Sequence, residues 1–259
     1  VTVAIPCYNG VQYVGSAIEA ILHQTYPVDE LLVIDDGSTD DSDEIINRYP
    51  VNLVQHRQNR GLAAARNTAV DAATGDVIVF VDVDAYADPE LVALLLGGYD
   101  HPSVAGVGGQ GIEANIQSLA DRWRRAHASQ SHGPRRKNVE FLYGLCMSFR
   151  REALRHVGGF NPGLRTNAED VDIGLRLNAA GFRLRYEPGA KVYHQRTDDQ
   201  TSIIRTMVTW YAEAFRVRQL NQAQPWRLYF GSVRRLLANP LADIFILNDL
   251  ALAALSVRI

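Results

Sequence analysis

Acidic side chains recur where an apolar run ends or a helical pattern begins. Asp35–Asp36 follow one apolar run, Asp82–Asp84 follow another as the triplet D-V-D, and Glu169–Asp172 open a segment with helical spacing. The carboxyl ends of parallel strands share one edge of a sheet, where open α/β sheets bind ligands. We therefore expect the first two groups to lie close together and the third to face them.

Carboxylates spaced as D-x-D suit a hard divalent cation. Mg²⁺ and Mn²⁺ prefer oxygen ligands and bind through one or two carboxylates together with substrate phosphates. Such triplets are more often solvated loops, but this one directly follows the β-branched run VIVFV (77–81). A strand of that composition is typical of a sheet covered on both faces. Its position favours a metal site at Asp82–Asp84.

The elements that would carry these groups alternate over the first 100 residues. Strands are predicted at 1–6, 30–35, 51–56 and 76–82, and helices at 16–24, 41–49, 61–73 and 88–99. Beyond residue 100 the pattern predicts strands at 103–111 and 139–150 and helices at 115–127, 151–160 and 167–181, the last closed by Gly181. This rhythm predicts an α/β fold with a mainly parallel central sheet flanked by helices.

Composition limits the class of protein. The chain has 259 residues, 47% of them hydrophobic, and a net charge of −3, which suits one large domain with an appendage and gives no sign of nucleic-acid binding. Cys7 and Cys146 are too few for a disulfide framework, so a reduced, cytoplasmic setting is expected. No apolar run reaches 18 residues. Val1 opens in the middle of a strand pattern, so an upstream segment can be missing.

Six motifs in order identify a family. The chain resembles the inverting nucleotide-sugar glycosyltransferases of family 2, which have the Rossmann-like GT-A fold, over roughly residues 1–195. The motifs are IPCYNG (5–10), VIDDGSTDDS (33–42), NRGLAAARN (59–67), DVDA (82–85), FRREALRHVGGF (149–160) and EDVDIGLRL (169–177). The resemblance implies transfer of a hexose from a nucleoside-diphosphate sugar, most often a UDP-sugar, to a hydroxyl of a glycan or lipid-linked glycan. Polysaccharide biosynthesis for the cell envelope is the expected setting.

The resemblance also implies a nucleoside site. Asp36 would accept a hydrogen bond from the base, and Pro6 and Tyr8 would form the rest of the cradle. Arg66 would be a further base or phosphate contact, with a surface arginine on an alanine-rich helix as the alternative. Asp35 is expected to hold the turn.

The metal and the general base follow from the same resemblance. Asp84 would bind Mn²⁺ or Mg²⁺, Asp82 would contact the ribose or donor sugar, and His194 would complete metal or phosphate binding unless it is structural. Asp170 matches the general base, and we expect it to stay ionised because the helix N-terminus favours an anion. Glu169 would orient the acceptor or the helix.

Other motifs have competing interpretations. GVGGQG (106–111) fits G-x-G-x-x-G, but no acidic residue follows at the distance a dinucleotide site needs, so we expect its glycines to let the backbone approach the donor sugar. A sugar-nucleotide pyrophosphorylase would need a lysine in IPCYNGVQYV (5–14), which has none. Trp123 is expected in the core rather than stacked on sugar, and Asp172 as a helix cap. A non-catalytic binding protein of the same fold remains the rival function.

We predict a catalytic domain at 1–200, with a nucleotide-sugar half (1–100) and an acceptor half (101–200), and a helical appendage at 201–259. The appendage is apolar and contains seven arginines against three acidic residues. Two interpretations of it stay open. Its helices pack on the sheet or form a homodimer interface, or they lie peripherally on an anionic membrane, at the inner face of the plasma membrane.

Overall fold

The computed structural model describes residues 1–165, 167–221, 238–240, 243 and 249–259. Its strands are β1 (Thr2–Cys7), β2 (Glu30–Asp35), β3 (Asn52–Gln55), β4 (Val77–Val81), β5 (Ala85–Ala87), β6 (Val104–Glu113), β7 (Lys137–Val139), β8 (Cys146–Arg150) and β9 (Arg183–His194). Its helices are α1 (Val14–Leu22), α2 (Ser42–Ile46), α3 (Leu62–Ala72), α4 (Leu91–Leu96), α5 (Leu119–His127), α6 (Arg151–His156), α7 (Glu169–Ala179), α8 (Gln200–Leu220) and α9 (Leu250–Arg258).

One mixed sheet organises the strands, in the order β3-β2-β1-β4-β8-β6-β9-β5, with β7 paired to β9. The pairs β1–β2, β1–β4 and β2–β3 are parallel, whereas β8 joins β4 and β6 antiparallel. Strands β5 and β7 also pair antiparallel with β9. The predicted α/β class is confirmed, and the sheet combines parallel pairs among its first four strands with antiparallel pairs elsewhere.

Both faces of the sheet are covered, as the composition of β1 and β4 indicates. Alternate side chains of a strand point to opposite faces. On one face Val3 and Ile5 of β1 pack with apolar residues of α1 and α4, and on the other Ala4 packs with α3, α6 and α7. The strand ends are therefore the positions where polar groups stay accessible.

The turn after α6 places Phe160 in the core. Gly158 and Gly159 have φ angles of 79° and 72°, in the left-handed region that favours glycine. The Asn67 side chain donates to the Phe160 carbonyl and accepts from its N–H, both at 2.8 Å, and Phe160 is 1% exposed. Cys146 and Met147 of β8 are also buried in the core.

Several elements differ from the sequence-based prediction. The strand predicted at 139–150 is two short strands, β7 and β8, with a loop at 140–145 between them. Strand β5 and the 12-residue strand β9 were not predicted from the sequence. Helix α7 is followed by Gly181 with a φ of 86°, so the predicted helix end is confirmed.

The described residues group into two compact units. One comprises residues 1–112 and 130–195, and the other comprises 113–129 and 196–259. The second unit thus takes α5 from the predicted acceptor half, while the functional division at residue 200 stays a prediction. Residues 222–237, 241–242 and 244–248 of the predicted appendage lie outside the described residues.

Within the second unit, α5 packs with α8 and α9. Trp123 is 3% exposed and donates its indole N–H to the Ser256 hydroxyl at 2.7 Å, which confirms its core position. On α8, Ile203 and Val217 are buried whereas Val208 is 56% exposed, so packing covers only part of the apolar side chains of this helix. Among the described helices, none is both long and apolar enough to cross a membrane.

Candidate active site

The carboxyl ends of β1, β2 and β4 form a polar rim, because these neighbouring strands are parallel. The loops after β1 and β2 are joined: Asn9 donates its N–H to the Ser38 hydroxyl at 2.9 Å and accepts from the Thr39 N–H at 2.8 Å. Tyr8 is 47% exposed on this rim, whereas Pro6 is buried within β1. Of the two predicted cradle residues, Tyr8 is therefore the one that presents a side chain to a ligand.

Asp36 holds the loop that leads into α3. Its carboxylate accepts from the N–H groups of Arg60 at 2.9 Å and Gly61 at 2.7 Å, and His56 Nδ1 lies 2.6 Å away. Asp35 accepts from the Ser38 N–H at 3.0 Å, which agrees with its predicted role in the turn. The predicted contact between Asp36 and a base stays a prediction, made by a carboxylate that already has three partners in the chain.

Asp84 and His194 lie together as predicted. Asp84 Oδ2 and His194 Nε2 are 3.3 Å apart, and both side chains are largely shielded from solvent. Strand β5 brings them together, because Ala85 is in register with His194 of β9. Carboxylate oxygen suits Mn²⁺ and Mg²⁺, and imidazole is a common partner ligand. In the described part of the chain no group of three such side chains could hold a metal. The pair therefore fits a cation that takes its other ligands from phosphates and water.

Arg66 is completely buried, so the interpretation as a surface arginine is wrong. Its guanidinium donates to Asp82 Oδ1 at 2.9 Å, to the Gly144 carbonyl at 3.0 Å and to Glu169 Oε1. The guanidinium carbon also lies 5.7 Å from the centroid of the Phe160 ring. Small alanines elsewhere on α3 let that helix lie close to the sheet, so the long side chain reaches three other segments.

Asp170 lies in the first turn of α7 and is 8% exposed. Its Oδ2 accepts from the Gly144 N–H at 3.0 Å. Burial and the neighbouring Glu169 carboxylate raise the pKa of Asp170, while Arg66 opposes them. The expectation that the helix N-terminus keeps Asp170 fully ionised is therefore wrong, since burial outweighs the dipole. Burial likewise raises the pKa of Asp82 to about 6, against the effect of Arg66.

Glu169 is 4% exposed, and its two carboxylate oxygens have different surroundings. Oε1 accepts from Arg66, and Oε2 is buried with no partner in the described residues. The preceding residue, Ala168, has a φ of 64°, which is unusual for a residue other than glycine. Backbone of this kind persists where the surrounding structure enforces it, and it clusters at functional sites.

Asp172 has a structural role of a different kind from the predicted cap. It accepts from the Arg176 side chain at 2.8 Å, one turn along α7, and Arg176 donates to the Val157 carbonyl at 2.7 Å. The pair ties α7 to the end of α6. This correction leaves Glu169 and Asp170 as the acids of α7 that face the Arg66 cluster.

The segment GVGGQG (106–111) lies inside strand β6, not between a strand and a helix. A methyl group at Gly109 would lie 2.2 Å from the Ala190 carbonyl oxygen, and one at Gly106 would lie 2.6 Å from the Phe149 ring. The chain's own atoms fill the space beside these glycines. The expectation that they admit the donor sugar is therefore wrong, and the exclusion of a dinucleotide site stands.

Sequence reasoning missed two features near Asp170. Gly144 contacts both Arg66 and Asp170, yet it lies where a continuous strand was predicted, and no periodicity marks it. Beside it, the His132 ring packs against Tyr143 at a centroid distance of 4.7 Å and against Phe141 at 5.1 Å. Burial lowers the pKa of His132 to about 4, so this aromatic cluster is neutral.

Comparison with known proteins agrees with this geometry. The model of the family "Glycosyl transferase family 2" matches residues 2–158. A pre-mycofactocin glycosyltransferase of Mycobacterium tuberculosis is 32% identical over 204 residues, covering 75% of this chain and 42% of the relative. A glucosyl-dolichyl phosphate glucuronosyltransferase of Haloferax volcanii is 26% identical over 244 residues, covering 85% and 77%.

A solved structure shows the same likeness. It is a mannosyltransferase of Pyrobaculum calidifontis in complex with GDP-Man and Mn²⁺, 25% identical, with a TM-score of 0.66. The match covers 98% of this chain and 73% of that one. The chain spans less than half the length of the M. tuberculosis relative.

Proposed function

Because the chain belongs to glycosyltransferase family 2, we propose that it moves a hexose from a nucleoside-diphosphate sugar to a hydroxyl of a glycan or lipid-linked glycan. The anomeric configuration is inverted and Mn²⁺ or Mg²⁺ is required. The donor is a UDP-sugar. The observation that carries this proposal is the guanidinium of Arg66, which contacts Asp82 of the D-x-D triplet and Glu169 of the E-D pair at once.

Asp170 supplies the base in this proposal. The acceptor hydroxyl oxygen forms a bond to the anomeric carbon while the bond from that carbon to the diphosphate oxygen breaks. The electron pair of the broken bond leaves with the nucleoside diphosphate, and the hydroxyl proton passes to the Asp170 carboxylate. Attack opposite the leaving group inverts the anomeric centre. Glu169 Oε2, which is buried without a partner among the described residues, orients the acceptor in this proposal.

Asp84 and His194 are the residues that would hold the cation. When bound, a divalent ion offsets the negative charge that develops on the departing diphosphate. Asp82, which lies two residues before Asp84 and accepts a hydrogen bond from Arg66, orients the donor sugar or ribose in this proposal. The Mn²⁺ in the complex of the P. calidifontis enzyme supports a divalent cation in this proposal, and the choice of Asp84 and His194 rests on their position.

The base of the donor is the least constrained part of the proposal. Tyr8 offers an exposed ring at the rim, which suits stacking on any base. The P. calidifontis complex contains GDP-Man, so GDP is the main competitor to UDP. Isothermal titration of UDP and GDP with and without Mn²⁺ separates them. We expect UDP to bind more tightly and only with metal, and no metal-enhanced binding of either nucleotide would reject the proposal.

Turnover distinguishes the enzyme from a binding protein of the same fold. The chain should slowly hydrolyse its UDP-sugar with Mn²⁺, and transfer to added acceptors should give the inverted anomer by NMR. A non-catalytic binder would retain metal-enhanced nucleotide affinity and show neither reaction. The retained carboxylates at Asp84 and Asp170 favour the enzyme.

Membrane contact or a homodimer through residues 201–259 stays part of the proposal. Co-sedimentation of the full chain with anionic and with neutral vesicles at low salt tests the first, since basic residues favour anionic headgroups. Light scattering at several concentrations tests the second. Binding to anionic but not to neutral vesicles supports a lipid-linked acceptor. A monomer that binds neither kind of vesicle supports a free glycan as the acceptor.

A further inference from the structure

We propose that Arg66 and the Gly144 peptide form a link, here called the Arg66–Gly144 link, that positions the base Asp170 and connects it to the donor-side carboxylate Asp82. The proposal deepens the proposed function and rests on it for the identity of the base. Arg66 is a positioning residue in this role, because it acts through Gly144 and Glu169. The contact with base or phosphate that the family resemblance implied stays a separate prediction.

Three segments meet at the Arg66 guanidinium. Asp82 follows β4, Gly144 belongs to the loop before β8, and Glu169 begins α7, and all three accept hydrogen bonds from it. These segments are far apart in the chain, and Arg66 donates a hydrogen bond to each of them. Removing the guanidinium would leave each of them without this connection.

The Gly144 peptide passes this connection on to the base. Its carbonyl accepts from Arg66 at 3.0 Å and its N–H donates to Asp170 Oδ2 at 3.0 Å. The carbonyl of Gly144 thus holds the Arg66 guanidinium, and its N–H holds the carboxylate of Asp170. A methyl group at Gly144 would lie 3.0 Å from Arg66 Nη2 and 3.5 Å from Glu169 Oε1, so any larger residue would disturb the link.

Stability alone does not explain a buried arginine here. Its Nε is buried without a partner in the described residues, so one donor stays unsatisfied. Buried ion pairs are often no more stable than well-packed apolar side chains of similar volume, because both charges lose their hydration. One guanidinium also faces three carboxylates, those of Asp82, Glu169 and Asp170. A role in setting charge and geometry accounts for this cost.

The link has a measurable consequence for proton transfer. Asp170 is faced by the Glu169 carboxylate, the Arg66 guanidinium and the Gly144 N–H. Asp82 lies on the far side of the guanidinium, and Asp172 is occupied by Arg176. Loss of the single positive charge leaves only negative neighbours, so Asp170 should hold its proton to a higher pH.

The test compares Arg66→Met, Arg66→Lys and a control, Arg150→Met. Arg150 also packs on an aromatic ring, that of Tyr99, and donates to the Val104 carbonyl at 3.0 Å, but no contact joins it to the acidic cluster. We expect Arg66→Met to lower kcat at least 10²-fold and to move the acid limb of the kcat–pH profile up by about one unit or more. In Arg66→Lys the acid limb should return most of the way to its wild-type pH, because the positive charge is kept. Little of kcat should be restored, because an ammonium lacks the planar array of donors of a guanidinium.

The control should lower the melting temperature without moving the acid limb. An acid limb that stays in place in Arg66→Met, or moves equally in Arg150→Met, overturns the link. If Arg66→Met does not fold, Gly144→Ala decides: it should move the limb in the same direction, because the added methyl, 3.0 Å from Arg66 Nη2, displaces the guanidinium from the acidic side chains. An unmoved limb in Gly144→Ala would then count as failure.

A readout without turnover separates this proposal from the proposed function. The carboxyl ¹³C shift of Asp170 can be followed against pH in the wild type and in the Arg66 variants. If the wild type transfers no sugar but the Asp170 titration moves with Arg66, the function fails and the link stands. If the wild type is active and the titration does not move, the link fails and the function stands.

Discussion

Asp84 and His194 lie 3.3 Å apart although 110 residues separate them in the chain. The antiparallel pairing of β5 with β9 produces this contact, since Ala85 and His194 are opposite each other and the Gln195 N–H donates to the Asp84 carbonyl at 2.8 Å. Backbone pairing on both sides of the two side chains fixes their separation. A preformed pair of this kind costs little reorganisation when a cation binds.

Asp84→Ala should abolish the metal dependence of nucleotide binding. In this variant the UDP affinity with Mn²⁺ should fall to the value without metal, because a carboxylate ligand is lost. Isothermal titration measures both values. Asp71→Ala removes an exposed carboxylate of α3 and should bind as the wild type does. Equal Mn²⁺-dependent affinity in Asp84→Ala and the wild type would remove Asp84 from the metal site.

Asp170→Asn should separate binding from catalysis. The amide keeps the size of the side chain but cannot take a proton, so kcat should fall roughly 10²–10⁴-fold while nucleotide affinity stays within about twofold. The matched control on the same helix is Asp172→Asn. It weakens the pair with Arg176 and should lower the melting temperature more than kcat. Wild-type turnover in Asp170→Asn would show that another group is the base.

The raised pKa of Asp170 predicts how stability depends on pH. The folded protein holds this proton to a higher pH than the unfolded chain, whose aspartate pKa is about 3.9. The contribution is therefore fully present below that value and is lost as the pH rises through the folded pKa. Asp170→Asn, which does not titrate, should lose less stability than the wild type between pH 4 and 8. Urea unfolding at several pH values measures the two slopes, and parallel slopes would contradict the shift.

The parallel half of the fold was predictable because its patterns are local. Strand β2 and the acids at the ends of β2 and β4 follow directly from apolar runs that stop at polar residues. The pairing of β5 with β9 joins segments about 100 residues apart and leaves no local pattern. Nor does any sequence period show that Arg66 is buried, because its burial depends on acids contributed by two other elements.

The same limit applied to the electrostatics of Asp170. Its position at a helix N-terminus is visible in the sequence and predicts a stabilised anion. Glu169 and Asp170 are both buried in the first turn of α7. This burial depends on the packing of the whole domain, which the sequence does not show. Burial determines the direction of the pKa shift of Asp170, because desolvation of a buried carboxylate exceeds the roughly 0.3–1 kcal/mol that a helix dipole contributes.

The last prediction concerns the two ends of α7. Ala168 has a φ of 64° before its first turn, and Gly181 has a φ of 86° after its last. In Ala168→Gly, relief of about 1–2 kcal/mol of left-handed strain is offset by roughly 0.8 kcal/mol for the buried methyl and by the entropy of glycine. The free energy of unfolding should therefore change by less than about 1 kcal/mol. Turnover should nevertheless fall severalfold, because the backbone that orients Glu169 is released. Gly181→Ala should show the opposite pattern. Apart from its chain neighbours, no atom of the described residues lies within 4 Å of the added methyl, so only strain of about 1–2 kcal/mol is introduced and turnover should be unchanged. Urea unfolding and steady-state kinetics on both variants decide the matter. Wild-type turnover in Ala168→Gly would mean that the left-handed residue shapes the helix start without positioning its acids.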